Sequence, residues 1–106
     1  MFDRLTPADF ITRRARGELW QLLDVREPWE LAIASVEDSL RIPMGEIPQR
    51  HRELDPATPV AVLCHSGGRS ARVAEFLARQ GFERVANIEG GIDAWSQACD
   101  PAIPRY

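Results

Sequence analysis

The stretch Val60-Ala-Val-Leu-Cys64-His65-Ser66-Gly67-Gly68-Arg69-Ser70 sets a cysteine at the end of an apolar run, followed by a glycine-rich turn and the start of a helical pattern. Such a place favours a thiolate over a thiol, because N–H groups at a helix N-terminus and a neighbouring cation both stabilise negative charge on sulfur. Gly67 and Gly68 let the chain turn tightly, with positive φ where needed, so that successive N–H groups converge on one anion. Arg69 brings a permanent charge on a planar fork that suits a tetrahedral oxyanion such as a sulfonate or phosphate. Its alternative is a helix-start arginine paired with an acid elsewhere. His65 is either a switchable cation near the sulfur or a side chain exposed at the rim. Ser66 and Ser70 are candidate hydroxyl donors to the anion, and Ser70 is equally a candidate helix cap. A thiolate held this way is a nucleophile for covalent catalysis; a small apolar residue ending a strand is the bland alternative for Cys64.

Strands and helices must position that loop. Thr6, Pro7 and Asp9 supply a hydroxyl cap, a proline in the first turn and an early acid, which predicts a helix over 7–16 that stops at Gly17. Residues 19–25 form an apolar run with the length of a strand buried on both faces. Pro28 opens a short helix to Ala34, residues 39–42 read as a second strand, and 44–52 read as helical despite Pro48. In the second half, 60–63 is a buried strand, 70–80 a helix carrying Val73, Ala74, Phe76 and Leu77 on one face and closed by Gly81, and 85–88 another strand. Gly90-Gly91 is a turn, and a last helix spans 92–98 before a tail with Pro101 and Pro104. Short apolar strands alternating with amphipathic helices predict an α/β domain with a mostly parallel sheet, and ligands of such sheets bind beyond the carboxyl ends of the strands. Cys64 sits at such an end.

Bulk properties narrow the field. The 106 residues amount to one domain spanning 1–106, of ordinary globular composition with 44% hydrophobic and 27% charged residues. Sixteen acidic against 13 basic residues leave a formal charge of −3, without the electrostatic footprint of a nucleic-acid binder. Arg13, Arg14 and Arg16 read as a solvated helix end. No targeting segment and no apolar span of membrane length is visible, so the expected location is cytoplasmic. Cys64 and Cys99 cannot make a disulfide framework and are expected as free thiols.

Taken together, Leu23-Asp24-Val25-Arg26-Glu27-Pro28, the loop from Cys64 to Ser70, Gly81-Phe82, and Asn87-Ile-Glu-Gly-Gly-Ile-Asp-Ala-Trp95 resemble the rhodanese-homology domain in its single-domain bacterial form, over nearly the whole chain. The resemblance implies a three-layer fold with a five-stranded, mostly parallel sheet flanked by helices. It also implies a sulfurtransferase that carries a sulfane sulfur as a persulfide on Cys64. The donor would be a small sulfur-containing anion such as thiosulfate, or a protein persulfide; the acceptor would be cyanide or a thiol. Such a cycle requires no metal and no organic cofactor. Loop length separates this reading from its nearest rival. Four residues lie between Cys64 and Arg69, whereas cysteine-dependent phosphatases, including the cell-division-cycle dual-specificity group that shares the fold, have one more. The shorter ring removes space and one donor that a phosphate ester would need. A non-catalytic interaction module is the other competing class.

Several further residues invite roles. Asp24 and Arg26, an acid and a base at a strand end, are expected to brace the loop from behind, with Glu89 as a candidate partner for Arg26. Trp29 and Trp95 read first as packing and second as substrate walls. Arg41 and Arg72 are candidates for positive potential at a pocket mouth. Cys99 is either a resolving thiol for Cys64 or incidental.

Overall fold

A computed structural model of the chain describes residues 2–106. Its elements are β1 (Asp3–Leu5), α1 (Pro7–Ala15), β2 (Gln21–Asp24), α2 (Pro28–Ile33), β3 (Ser39–Arg41), α3 (Ile47–Arg50), β4 (Val60–Leu63), α4 (Gly68–Arg79), β5 (Val85–Ile88) and α5 (Gly91–Ala98). The strands form one sheet in the order β1-β5-β4-β2-β3, and every neighbouring pair is parallel. Helices cover both faces, as a parallel sheet requires. The architecture is the α/β, five-stranded, three-layer one expected.

Alternation along the strands divides the core. Val60, Val62 and Cys64 point with Leu23 and Val25 to one face, where Val73, Ala74 and Leu77 of α4 and Ile47 of α3 cover them. Ala61, Leu63, Ala86 and Ile88 point to the other, against Phe10 of α1 and Ile92 and Trp95 of α5. Because β4 lies between β5 and β2, all four of its residues are buried. Its continuous apolar run is the sequence trace of that central place.

The local signals act as expected at α1: the Thr6 hydroxyl accepts from the Asp9 N–H at 3.1 Å and the Asp9 carboxylate accepts from the Thr6 N–H at 3.4 Å, a reciprocal cap. Other boundaries differ. The first strand of the sheet, β1, has no apolar run to announce it, since only Leu5 of its three residues is buried. The run from Leu19 does not pair until Gln21, and Leu19 is 81% exposed. The expected helix over 44–52 is broken into α3 between single 3₁₀ turns at Met44–Glu46 and His51–Glu53. Pro48 lacks the N–H that a continuous helix would need there, so the chain restarts around it. Both α4 and α5 begin earlier than expected, on Gly68 and Gly91. Among the described residues no helix is long and apolar enough to cross a membrane.

Candidate active site

Cys64 follows the last residue of β4, and the chain then turns through His65, Ser66 and Gly67 into α4. Gly67 makes the turn with φ of +108°, a conformation that glycine adopts without the strain a Cβ would add. The turn brings the Gly67 N–H back onto Cys64, donating to Sγ at 3.0 Å. The Ser70 hydroxyl lies 3.2 Å from the same sulfur. Ser70 is the third residue of α4 rather than its cap, so its hydroxyl faces the sulfur and also reaches the Gly67 carbonyl and the Asn87 amide oxygen. The N–H groups of Gly68, Arg69 and Ser70 open the helix, where no preceding carbonyl is placed to accept them. They give this end of α4 a partial positive charge, and the Gly67 N–H beside it is the one that reaches Sγ. Cys64 is only 1% exposed, while Ser66 and Gly68 are exposed at the rim.

The loop rests on a second helix end. The Ile92 N–H donates to the Cys64 carbonyl at 2.9 Å and the Asp93 N–H donates to the His65 carbonyl at 3.0 Å. This close approach depends on Gly91, whose φ is +60° and at which a Cβ would stand 2.4 Å from the His65 oxygen and 2.5 Å from the Cys64 oxygen. Gly90-Gly91 is therefore more than a turn: it lets α5 cap the nucleophile's own loop. Asn87 ties the other side, donating from Nδ2 to the Gly67 carbonyl at 3.2 Å and to Glu89 Oε2 at 3.1 Å.

Arg69 does not point freely at an anion. Its Nη1 and Nη2 donate to Glu30 Oε2 and Oε1, each at 2.7 Å, a bidentate pair. In this structure Arg69 takes the alternative arrangement, an arginine paired with a distant acid. Glu30 is almost fully buried and its oxygens are filled: Oε2 also accepts from the Glu27 N–H at 2.9 Å, and Oε1 from the Tyr106 hydroxyl at 2.8 Å. The Arg69 guanidinium, helped by those two donors and opposed by burial, pushes Glu30 down to about 2. Glu30 in turn holds Arg69 above its ordinary value.

Asp24 and Arg26 pair with each other, and their further bonds run to α2 and Tyr106 rather than to the cysteine loop. Both are 0% exposed, with Arg26 Nε and Nη2 donating to Asp24 at 3.0 and 2.8 Å. Arg26 also donates to the Ala34 carbonyl at 2.8 Å and to the Tyr106 hydroxyl at 2.9 Å. Burial opposes its charge, and the bonds to Asp24 and Tyr106 outweigh burial, leaving Arg26 raised. Glu89 is not its partner. Central β4 separates β5, which Glu89 follows, from β2, which Arg26 follows, and Glu89 serves Asn87 instead. Tyr106 closes the arrangement by stacking on His65, with ring centres 4.1 Å apart and planes 9° apart, so His65 is a half-buried stacking partner.

Of the remaining candidates, Trp95 is core, packed edge-on to Phe10, whereas Trp29 is 63% exposed and meets Tyr106 edge-on. Arg41 and Arg72 are exposed. Cys99 packs against the apolar cluster on the opposite face of the sheet from Cys64, a position unsuited to a resolving thiol. Three site residues escaped the sequence reading. Asn87 left a signal, a lone polar residue in an apolar strand; Glu30 left a weaker one, an acid three positions after Glu27 at a proline-opened helix start. Tyr106 left none.

Comparison with known proteins agrees with this geometry. The family model described as a rhodanese-like domain matches residues 6–98. A sulfurtransferase of Allochromatium vinosum is 41% identical over 103 residues, covering 97% of this chain and 96% of that protein. The chloroplastic rhodanese-like/PpiC domain-containing protein 12 of Arabidopsis thaliana is 46% identical over 90 residues, which take in 81% of this chain but 30% of the plant protein. A rhodanese-related protein from Thermoplasma volcanium, solved by crystallography, superposes with a TM-score of 0.86 at 31% identity, over 99% of this chain and 100% of that one.

Proposed function

Because this chain belongs to the rhodanese-like domain family, with relatives that are sulfurtransferases, we propose that it moves a sulfane sulfur through a persulfide on Cys64. In the first half-reaction the Cys64 thiolate attacks the outer sulfur of thiosulfate or of a persulfide. A new S–S bond forms to Sγ, the old S–S bond breaks, and sulfite or a thiolate leaves with the electron pair. In the second, cyanide or a thiol attacks the outer sulfur and Cys64 leaves as thiolate. This is covalent catalysis with preorganised dipoles in place of a separate base.

The observation that carries the reading is the closed loop around a buried sulfur. Gly67 N–H and the Ser70 hydroxyl already surround Sγ, and Cys64 is 1% exposed. A single divalent sulfur atom at the tip of a donor can enter such a ring. A phosphorus atom with its three oxygens needs a wider one. The first turn of α4, with N–H groups free of intrahelical acceptors, begins beside this ring, which supports holding the terminal sulfur of a persulfide as an anion. The reading includes a reducing cytoplasmic setting, in keeping with two free cysteines.

Intact-mass measurement after mixing with thiosulfate, or with a small persulfide, tests the proposal. The expected result is a gain of one sulfur atom that disappears in Cys64→Ser. No gain with either donor overturns it in favour of an interaction module.

A further inference from the structure

The electrostatics around Sγ bear on which donor the loop accepts. Thiosulfate is a dianion and the attacking sulfur is itself an anion, so their encounter concentrates like charge at one point. An unpaired cation at the loop would offset that repulsion. Within residues 64–70 Arg69 is the one permanent cation, and Glu30 neutralises it through two 2.7 Å bonds. The lock is firm on the acid's side, where Tyr106 and the Glu27 N–H hold the Glu30 carboxylate in the orientation Arg69 needs. Arg26, the next cation inward, is likewise committed to Asp24 and fully buried. The groups at Sγ are both neutral, the Gly67 N–H and the Ser70 hydroxyl, on a chain of net charge −3.

We infer that Glu30 is a specificity-determining residue: by engaging Arg69 it selects sulfur donors that are persulfides without a dianionic head group over thiosulfate. The inference rests on the sulfur-transfer reading above. In the favoured step the Cys64 thiolate takes the outer sulfur of the protonated form R–S–SH, forming Cys64–S–SH and releasing RS⁻, so that atoms and charge balance; the donor carries at most one negative charge, on sulfur, against the two of thiosulfate. Glu30 touches neither donor nor sulfur; it acts through Arg69.

The test compares thiosulfate with the persulfide of N-acetylcysteine methyl ester, whose only charge is on sulfur, using cyanide as acceptor. Glu30→Gln, which keeps the shape and removes the charge, should lower KM for thiosulfate at least fivefold while moving KM for the persulfide less than twofold. Glu30→Gln combined with Arg69→Gln should return the ratio of the two kcat/KM values to that of the wild type. The wild-type protein gives an independent reading that no folding defect can blur: thiosulfate kcat/KM should hold or rise as salt is raised from about 20 to about 200 mM, because screening relieves repulsion. A several-fold fall with salt, or an unchanged donor ratio in Glu30→Gln, overturns the inference while leaving sulfur transfer intact. Failure of the wild type to take up sulfur from both donors overturns the underlying reading as well.

Discussion

Replacing Gly91 by alanine tests whether the approach of α5 to the cysteine loop sets the position of the nucleophile. The new Cβ would lie 2.4 Å from the His65 oxygen and 2.5 Å from the Cys64 oxygen, both backbone atoms that cannot swing aside. The loop must retreat by the better part of an ångström. Retreat weakens the bonds from the Ile92 and Asp93 N–H groups, now 2.9 and 3.0 Å, each worth about 1 kcal/mol. Holding alanine at positive φ adds about 1 kcal/mol more. The sum is about 3 kcal/mol, which in a domain of this size lowers Tm by roughly 15 °C. Displacing Sγ by about 1 Å should also slow sulfur transfer on the order of 100-fold. Calorimetry and thiocyanate formation measure the two effects. Gly17→Ala is the control, because Gly17 has φ of +94° but nothing within 4 Å of its added Cβ. That variant should lose about 1 kcal/mol and no activity. If Gly91→Ala melts within about 3 °C of wild type and transfers sulfur within twofold of its rate, the reasoning is refuted.

Three other outcomes follow from the same geometry. Inserting a glycine between Gly67 and Gly68 should cut sulfur transfer severely by moving the start of α4 and the Ser70 hydroxyl away from Sγ, and unchanged kinetics would remove the argument from loop size. Ser70→Ala removes a hydroxyl whose single proton is best placed for the Asn87 oxygen and whose oxygen lies 3.2 Å from Sγ; leaving the buried Asn87 oxygen unpaired should cost about 1–2 kcal/mol in urea unfolding, and a near-silent variant would contradict this. Glu30 is lowered from an ordinary 4.5 to about 2, chiefly by Arg69, so its contribution is complete above pH 4.5 and drains as pH falls toward 2. Linkage puts that loss at about 3 kcal/mol. Urea midpoints across this window should fall less steeply in Glu30→Gln, and parallel curves for the two proteins would rule the pair out as the cause.

The strongest local signals are legible in the sequence. The Val60–Leu63 run, the cysteine after it and the glycines that follow disclose a strand, a loop and a helix because each signal acts over a few residues. The pairing of Asp24 with Arg26 is local too, two opposite charges two positions apart at a buried strand end, but the partners of Arg26 in α2 and at Tyr106 are not. Sequence distance hid the rest. Glu30 reaches Arg69 across 39 positions and Tyr106 reaches Arg26 across 80, and no spacing rule connects them. Glu89 was misassigned because its proximity to Arg26 depends on strand order, and β4 lies between them. Strand β1 was missed because an edge strand of three residues with one buried side chain carries little hydrophobic signature.

The central position of β4 also divides the chain in time. Its amides are held between two neighbouring strands in the middle of the sheet, and such groups exchange with solvent only when the whole domain opens. The amides of Gly68, Arg69 and Ser70, a few residues on, have no preceding carbonyl to hold them. Amides held in the sheet and amides without a backbone acceptor thus adjoin at Cys64. An exchange experiment should therefore show protection dropping within a few residues of the nucleophile, with the strand that carries Cys64 the rigid side of that step.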